Sequence, residues 1–111
     1  MAITPRALIP AQQITASAVT YYTASKCTAR VDNFTATNTT GAAHTLTVYL
    51  VASGGSASAA NCIISAKSSN AGETYNCPEM IGKIIPDGSF IQCLADAGAA
   101  ITVSAGGIEV T

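Results

Sequence analysis

HTLTVYLVA, residues 44–52, is the stretch on which the fold turns. Leu46, Val48 and Leu50 alternate with Thr45, Thr47 and Tyr49. A period of two sends alternate side chains to opposite faces, so this segment reads as a strand with one face in a core. The same alternation runs outward from it in both directions. Upstream, KCTARVDNFTATNT (residues 26–39) sets Cys27, Ala29 and Val31 on one side. Phe34 and Ala36 resume one step out of phase, which predicts a β-bulge near Asp32 and Asn33. TNTTGAA between the two segments predicts a hairpin turn. QITASAVTYY (residues 13–22) alternates as well, with Tyr21 and Tyr22 directed to opposite faces.

Downstream, SGGSASAAN (residues 53–61) reads as a flexible loop and CIISA (residues 62–66) as a buried strand. KSSNAGE turns, TYNC extends, and PEMIG carries the Pro-Glu opening of a single helical turn. PDGS is a strong turn signal, with Pro86 read at its second position. FIQCLA is a strand. ITVSA and IEVT are two short strands split by Gly106-Gly107. Helical periodicity is absent. Eight or nine short strands with turn signals between them indicate an all-β chain. The expected architecture is an antiparallel β-sandwich, jelly-roll-like, with a small barrel as the alternative closure. Residues 1–12 carry two prolines and no alternation, so they are expected to form an extended N-terminal arm. Residues 13–111 then form one domain, as a length of 111 residues suggests.

Composition narrows the function classes. Charged residues are only 10% of the chain, against about 25% in an average protein. Ala, Thr, Ser and Gly replace them. Small neutral polar faces lose little on desolvation, which suits a surface covered by neighbours. The five basic residues, Arg6, Lys26, Arg30, Lys67 and Lys83, are scattered, and the net charge is −1. No basic stripe exists to neutralise a phosphate backbone, so nucleic acid is not expected as a partner. Neither a basic amphipathic helix nor a long apolar run points to a membrane. The start of the chain lacks the pattern of a secretion signal, so synthesis in the cytoplasm is expected. Two Asn-X-Thr triplets, at Asn33 and Asn38, are then chance features of a Thr-rich chain.

The chemistry-bearing residues all admit plain structural roles. Cys27, Cys62, Cys77 and Cys93 lack the C-x-x-C spacing of zinc ribbons. Two disulfides, a four-Cys metal site and free buried thiols all remain open, and the apolar runs around Cys62 and Cys93 favour the last. His44 is the sole histidine and no nucleophile-elbow pattern surrounds any serine. Glu73, Glu79, Asp87 and Asp96 each sit by a turn, where acids bond nearby backbone N–H groups. Phosphate-loop and calcium-loop patterns are lacking. The expectation is a non-enzyme with no metal and no cofactor. With six aromatics and no Trp, the chain is poor in platforms for sugars.

The order AGET…CPE…G…IPDG…I…A…A…ITVSAGGIEVT, over residues 61–111, resembles the capsid decoration (staple or cement) proteins of tailed bacteriophages. The resemblance implies a virion protein on the outer capsid surface. It would bind the major capsid protein as a homodimer and staple neighbouring subunits against the pressure of packaged DNA. It brings no catalytic residues. Decoration folds can resemble carbohydrate-binding modules, so a glycan-binding or host-adhesion module of a phage head or tail is the alternative, acting through Tyr21, Tyr22 or Tyr49. The apolar pair in the N-terminal segment needs a surface to lie on. Pro5, Arg6, Leu8, Ile9 and Pro10 are therefore the candidate contact with the capsid or with a second copy.

Overall fold

A computed structural model describes residues 2–111. Among them are nine strands: β1 (Ile3–Gln13), β2 (Val19–Thr23), β3 (Thr28–Asn38), β4 (His44–Val51), β5 (Cys62–Ser69), β6 (Thr74–Tyr75), β7 (Ile84–Ile85), β8 (Phe90–Ala95) and β9 (Ile101–Val110). One sheet runs β1-β9-β3-β6, with β7 also paired to β3, and the other runs β2-β8-β4-β5. Every pairing is antiparallel. Strands from the two ends of the chain pair first, β1 with β9 and β2 with β8, and β4 with β5 closes the middle. That nesting is jelly-roll topology, so the expected β-sandwich is the observed one. Phe34, Ile9, Leu46, Met80, Ile91, Ile101 and Val103 are among the fully buried side chains between the layers.

The alternation in residues 44–52 does place Leu46 and Val48 in the core, and the expected bulge appears as a register shift between Val31 and Asn33 of β3. Several expectations need correction. The segment between β3 and β4 is not a hairpin, because these strands belong to different sheets. It is a corner, and Asn38 holds it. The Asn38 amide nitrogen donates to the Ala42 and Ser69 carbonyls at 2.7 and 3.0 Å. Its oxygen accepts from the Thr40 N–H and hydroxyl at 3.0 and 2.8 Å. All four hydrogen-bonding positions of a fully buried amide are thereby used, across both sheets. An amide so engaged has no room for a glycan, so the Asn38 triplet has a structural role.

Residues 101–110 form one strand rather than two, running straight through Gly106 and Gly107. Residues 13–22 divide into the end of β1, a loop and β2. A register shift between Thr20 and Tyr22 leaves both tyrosines packed against the core instead of on opposite faces. β5 is an edge strand with four of its eight residues exposed and only Ile64 and Ser69 buried, not a buried strand. Pro86 takes the first position of its turn: the Ser89 N–H donates to the Pro86 carbonyl, and Gly88 supplies the positive φ of +85°. Residues 78–82 make successive turns, no more than the single turn or bend expected there, with Met80 and Ile81 bonded back to Cys77 and Pro78.

The largest departure is at the N-terminus. Residues 3–13 are not an arm but β1, paired to β9 along its length, and Met1 lies outside the described residues. Ala2 and Thr111 exchange both backbone hydrogen bonds. Bonded pairs therefore recur at Thr4 and Arg6, and the nitrogens of Ile3 and Pro5 face the open side. Proline is tolerated there because no ladder bond needs its missing N–H. Two register shifts in β1 break the alternation that would mark it in the sequence.

Candidate interaction surface

The five residues singled out in the N-terminal segment part company in the fold. Leu8 is 4% exposed and Ile9 0%, so the surface they lie on is their own core. Pro5, Arg6 and Pro10 remain exposed on the sheet edge. Arg6 is anchored by Glu109, with Nη1 3.3 Å from Oε1. The other Glu109 oxygen accepts from the Tyr22 hydroxyl at 2.5 Å, and the Cys27 thiol lies 3.8 Å from that hydroxyl. Burial, and then the bond to Glu109, push the Tyr22 pKa well above the usual phenol range. This cluster ties β1, β2 and β9 together at one end of the sandwich and leaves Tyr22 no free hydroxyl proton.

β9 carries a signal that its composition hides. Ile101, Val103 and Ala105 face the core, and the same phase turns Glu109 inward. The opposite phase lies on the outer face of the sheet, half-buried by its neighbours. It begins with Thr102 and Ser104, as expected of an outer face, but continues with Ile108 and Val110. Their cross-strand partners extend the apolar end. Ile3 and Thr28 flank Val110, while Pro5 and Arg30 flank Ile108, and Ile84 lies beyond Arg30. Residues directly opposite in register share a face. Ile3 and Ile84 are 59% and 51% exposed, among the most exposed large apolar side chains here. In the sequence IEVT reads only as a short strand, and nothing local tells which way Glu109 turns or that Ile84 stays outside the core.

The remaining polar groups are absorbed locally. His44 Nδ1 sits 2.8 Å from Asp96 Oδ1, and that hydrogen bond chiefly holds the Asp96 pKa below the usual carboxylate range. Glu79 accepts from Tyr75, which lowers the Glu79 pKa and raises that of Tyr75 to about 12. Lys67 Nζ covers the Tyr75 ring at 5.2 Å from its centre, bridging the edges of the two sheets. Asp87 caps the Lys26 N–H at 2.8 Å, and Glu73 caps the Asn70 N–H at 2.7 Å. No three His, Cys, Asp or Glu side chains converge as metal ligands among the described residues, and no cleft indents the described surface.

All four cysteines are free thiols, three buried and Cys62 half-buried. Burial, then the nearby Glu79 charge, push Cys77 up to about 12, and burial chiefly raises Cys93 further. Ellman's reagent at about pH 8 is expected to label Cys62 alone in the folded protein, because thiolate and access are both needed for attack. In denaturant all four should react. Rapid labelling of Cys77 or Cys93 without denaturant would contradict the packing described.

Comparison with protein-family models, with curated proteins and with solved structures yields no match.

Proposed function

We propose that this chain is a structural virion protein that decorates the outside of an icosahedral phage head and staples neighbouring major capsid protein subunits. The observation that carries this reading is a jelly roll whose sheets present small, uncharged faces and blunted edges. β1 is interrupted by Pro5, Pro10 and two register shifts. On the same sheet β6 and β7 are two residues each. β2 has a register shift, and β5 has one opposite Thr47, beside Ala66 at φ +45°. Such edges resist strand-to-strand pairing, so association proceeds through faces. Charged residues are 10% of the chain, so a face can be covered with little desolvation loss. The resemblance of residues 61–111 to decoration proteins supplies the partner. Weak single contacts suffice on a shell, since many copies bound to one lattice raise the effective concentration.

The test is co-sedimentation of the purified chain with undecorated, expanded heads, with free capsid subunits as control. Saturable binding to heads alone, near one copy per subunit, is expected. Failure to bind heads would overturn the proposal and direct the next experiment to a glycan screen.

A further inference from the structure

Given a shell-bound decoration protein, the remaining question is which surface meets the shell and what that surface requires of its partner. The outer face of the β1-β9-β3-β7 end is unusual in its charge balance. Arg6 is held by Glu109 and Arg30 by Asp32, the latter pair at 2.8 Å. Both acids near the apolar row are thereby neutralised within the chain. Asp87, at the same end, spends one oxygen on the Lys26 backbone N–H. Lys83, directly before Ile84, and Lys26, two residues before β3, have no ion-pair partner among the described residues. Four of the five basic residues sit in this half of the molecule, while Glu73, Glu79 and Asp96 sit in the other. Asp87 keeps its charge, so this end sets Arg6, Lys26, Arg30 and Lys83 against Asp32, Asp87 and Glu109, and the apolar row is rimmed by a small positive excess.

We infer that the row formed by Ile3, Pro5, Ile84, Ile108 and Val110 is the docking face, and that its occupant is an apolar, acid-rimmed patch on the outer surface of the shell subunit. This rests on the function proposed above and adds the orientation: β1, β9, β3 and β7 face the shell, and the β2-β8-β4-β5 sheet faces outward. Area argues for a repeated partner rather than a free one. Four strands at about 4.8 Å spacing and two residue rows give a face on the order of 300 Å², in which Thr28 and the Asp32-paired Arg30 occupy the β3 positions between the apolar side chains. A stable pair of free proteins needs about 800 Å² from each side. One such contact is weak alone and becomes effective only where the lattice repeats it. Spare lysines at the rim add steering toward acidic groups, a contribution that salt screens.

Three variants on heads test this, each first checked for an unchanged thermal melt. Ile84→Asp places a carboxylate at the exposed β7 side of the contact, next to Arg30, without touching the core. It is expected to weaken head binding at least about tenfold, because an unpaired charge is desolvated. Lys83→Glu should weaken binding severalfold at low salt and flatten its salt dependence. Val19→Asp, an exposed apolar position at 40% on the opposite sheet, is the matched control and should bind as wild type. If wild type fails to bind heads, the decoration reading itself falls. If wild type binds and Ile84→Asp binds equally well, or Val19→Asp is the variant that loses binding, the docking face is wrong and the decoration reading stands. Self-association in solution that Ile84→Asp abolishes, with head binding intact, would assign the face to a second copy and overturn the inference.

Discussion

Deleting residues 1–12 is expected to unfold the domain. The segment is nearly all of β1, and it buries Leu8 and Ile9 completely or almost so. Each such side chain contributes about 1.5–3 kcal/mol on burial. Their joint loss is comparable with the roughly 5–15 kcal/mol that holds a whole domain together. The deletion also strips β9 of a ladder neighbour and exposes its edge and the apolar layer beneath, an invitation to aggregation. Circular dichroism on heating should show no cooperative melt, and amide spectra should lose their dispersion. A truncated chain melting within about 5 °C of the full one would refute the account. Such a deletion therefore cannot serve as a binding test, since it removes the fold together with any contact. Point substitutions at exposed sites are the informative ones.

Gly107→Ala is the second large effect. A Cβ at this position would overlap the Arg30 carbonyl oxygen and also press on Leu8 Cδ1 at 3.0 Å. Arg30 lies in β3, just before the register shift at Val31 and Asn33, so β3 and β9 approach unusually closely there. A backbone oxygen cannot swing aside as a side-chain end can. Adding one methyl must part the two strands or displace β1. A loss of about 3 kcal/mol is expected, with the melting temperature lowered by roughly 10 °C. Gly98→Ala is the control, because a Cβ there meets nothing within 4 Å. Its effect should stay within about 0.5 kcal/mol. Equal melts for the two variants would remove the close approach as the reason for Gly107.

Much of the fold was legible because alternation is a local property of consecutive residues. Leu46 and Val48 against Thr45 and Thr47, and Phe34 and Ala36 after the bulge, declare their faces without reference to any partner. Turn chemistry is local too, as Asp87-Gly88 shows. β1 is hidden in the sequence because its two register shifts bring Leu8 and Ile9, adjacent in the chain, to the same side. Such a break reads as no strand at all. β9 looks divided in the sequence because glycine ordinarily interrupts strands, whereas here Gly107 is demanded by a neighbour 77 positions away in β3.

The candidate surface divides along the same line. Low charge and small polar residues, which make faces easy to cover, are properties of composition. That Leu8 and Ile9 belong to the core, while Ile84 and Val110 belong to the surface, is not. All four are aliphatic residues within or beside strand-like segments, and nothing local separates them. The separation comes from register. Pairing β9 with Val103 and Ala105 inward carries Glu109 to Tyr22 and turns Ile108 and Val110 to the outer face, where they stay half-buried. The amino-acid sequence by itself determined that this chain is an antiparallel sandwich of small, weakly charged faces. Tertiary pairing alone decided which apolar residues stay outside it, because a strand has two faces and only its partners choose between them.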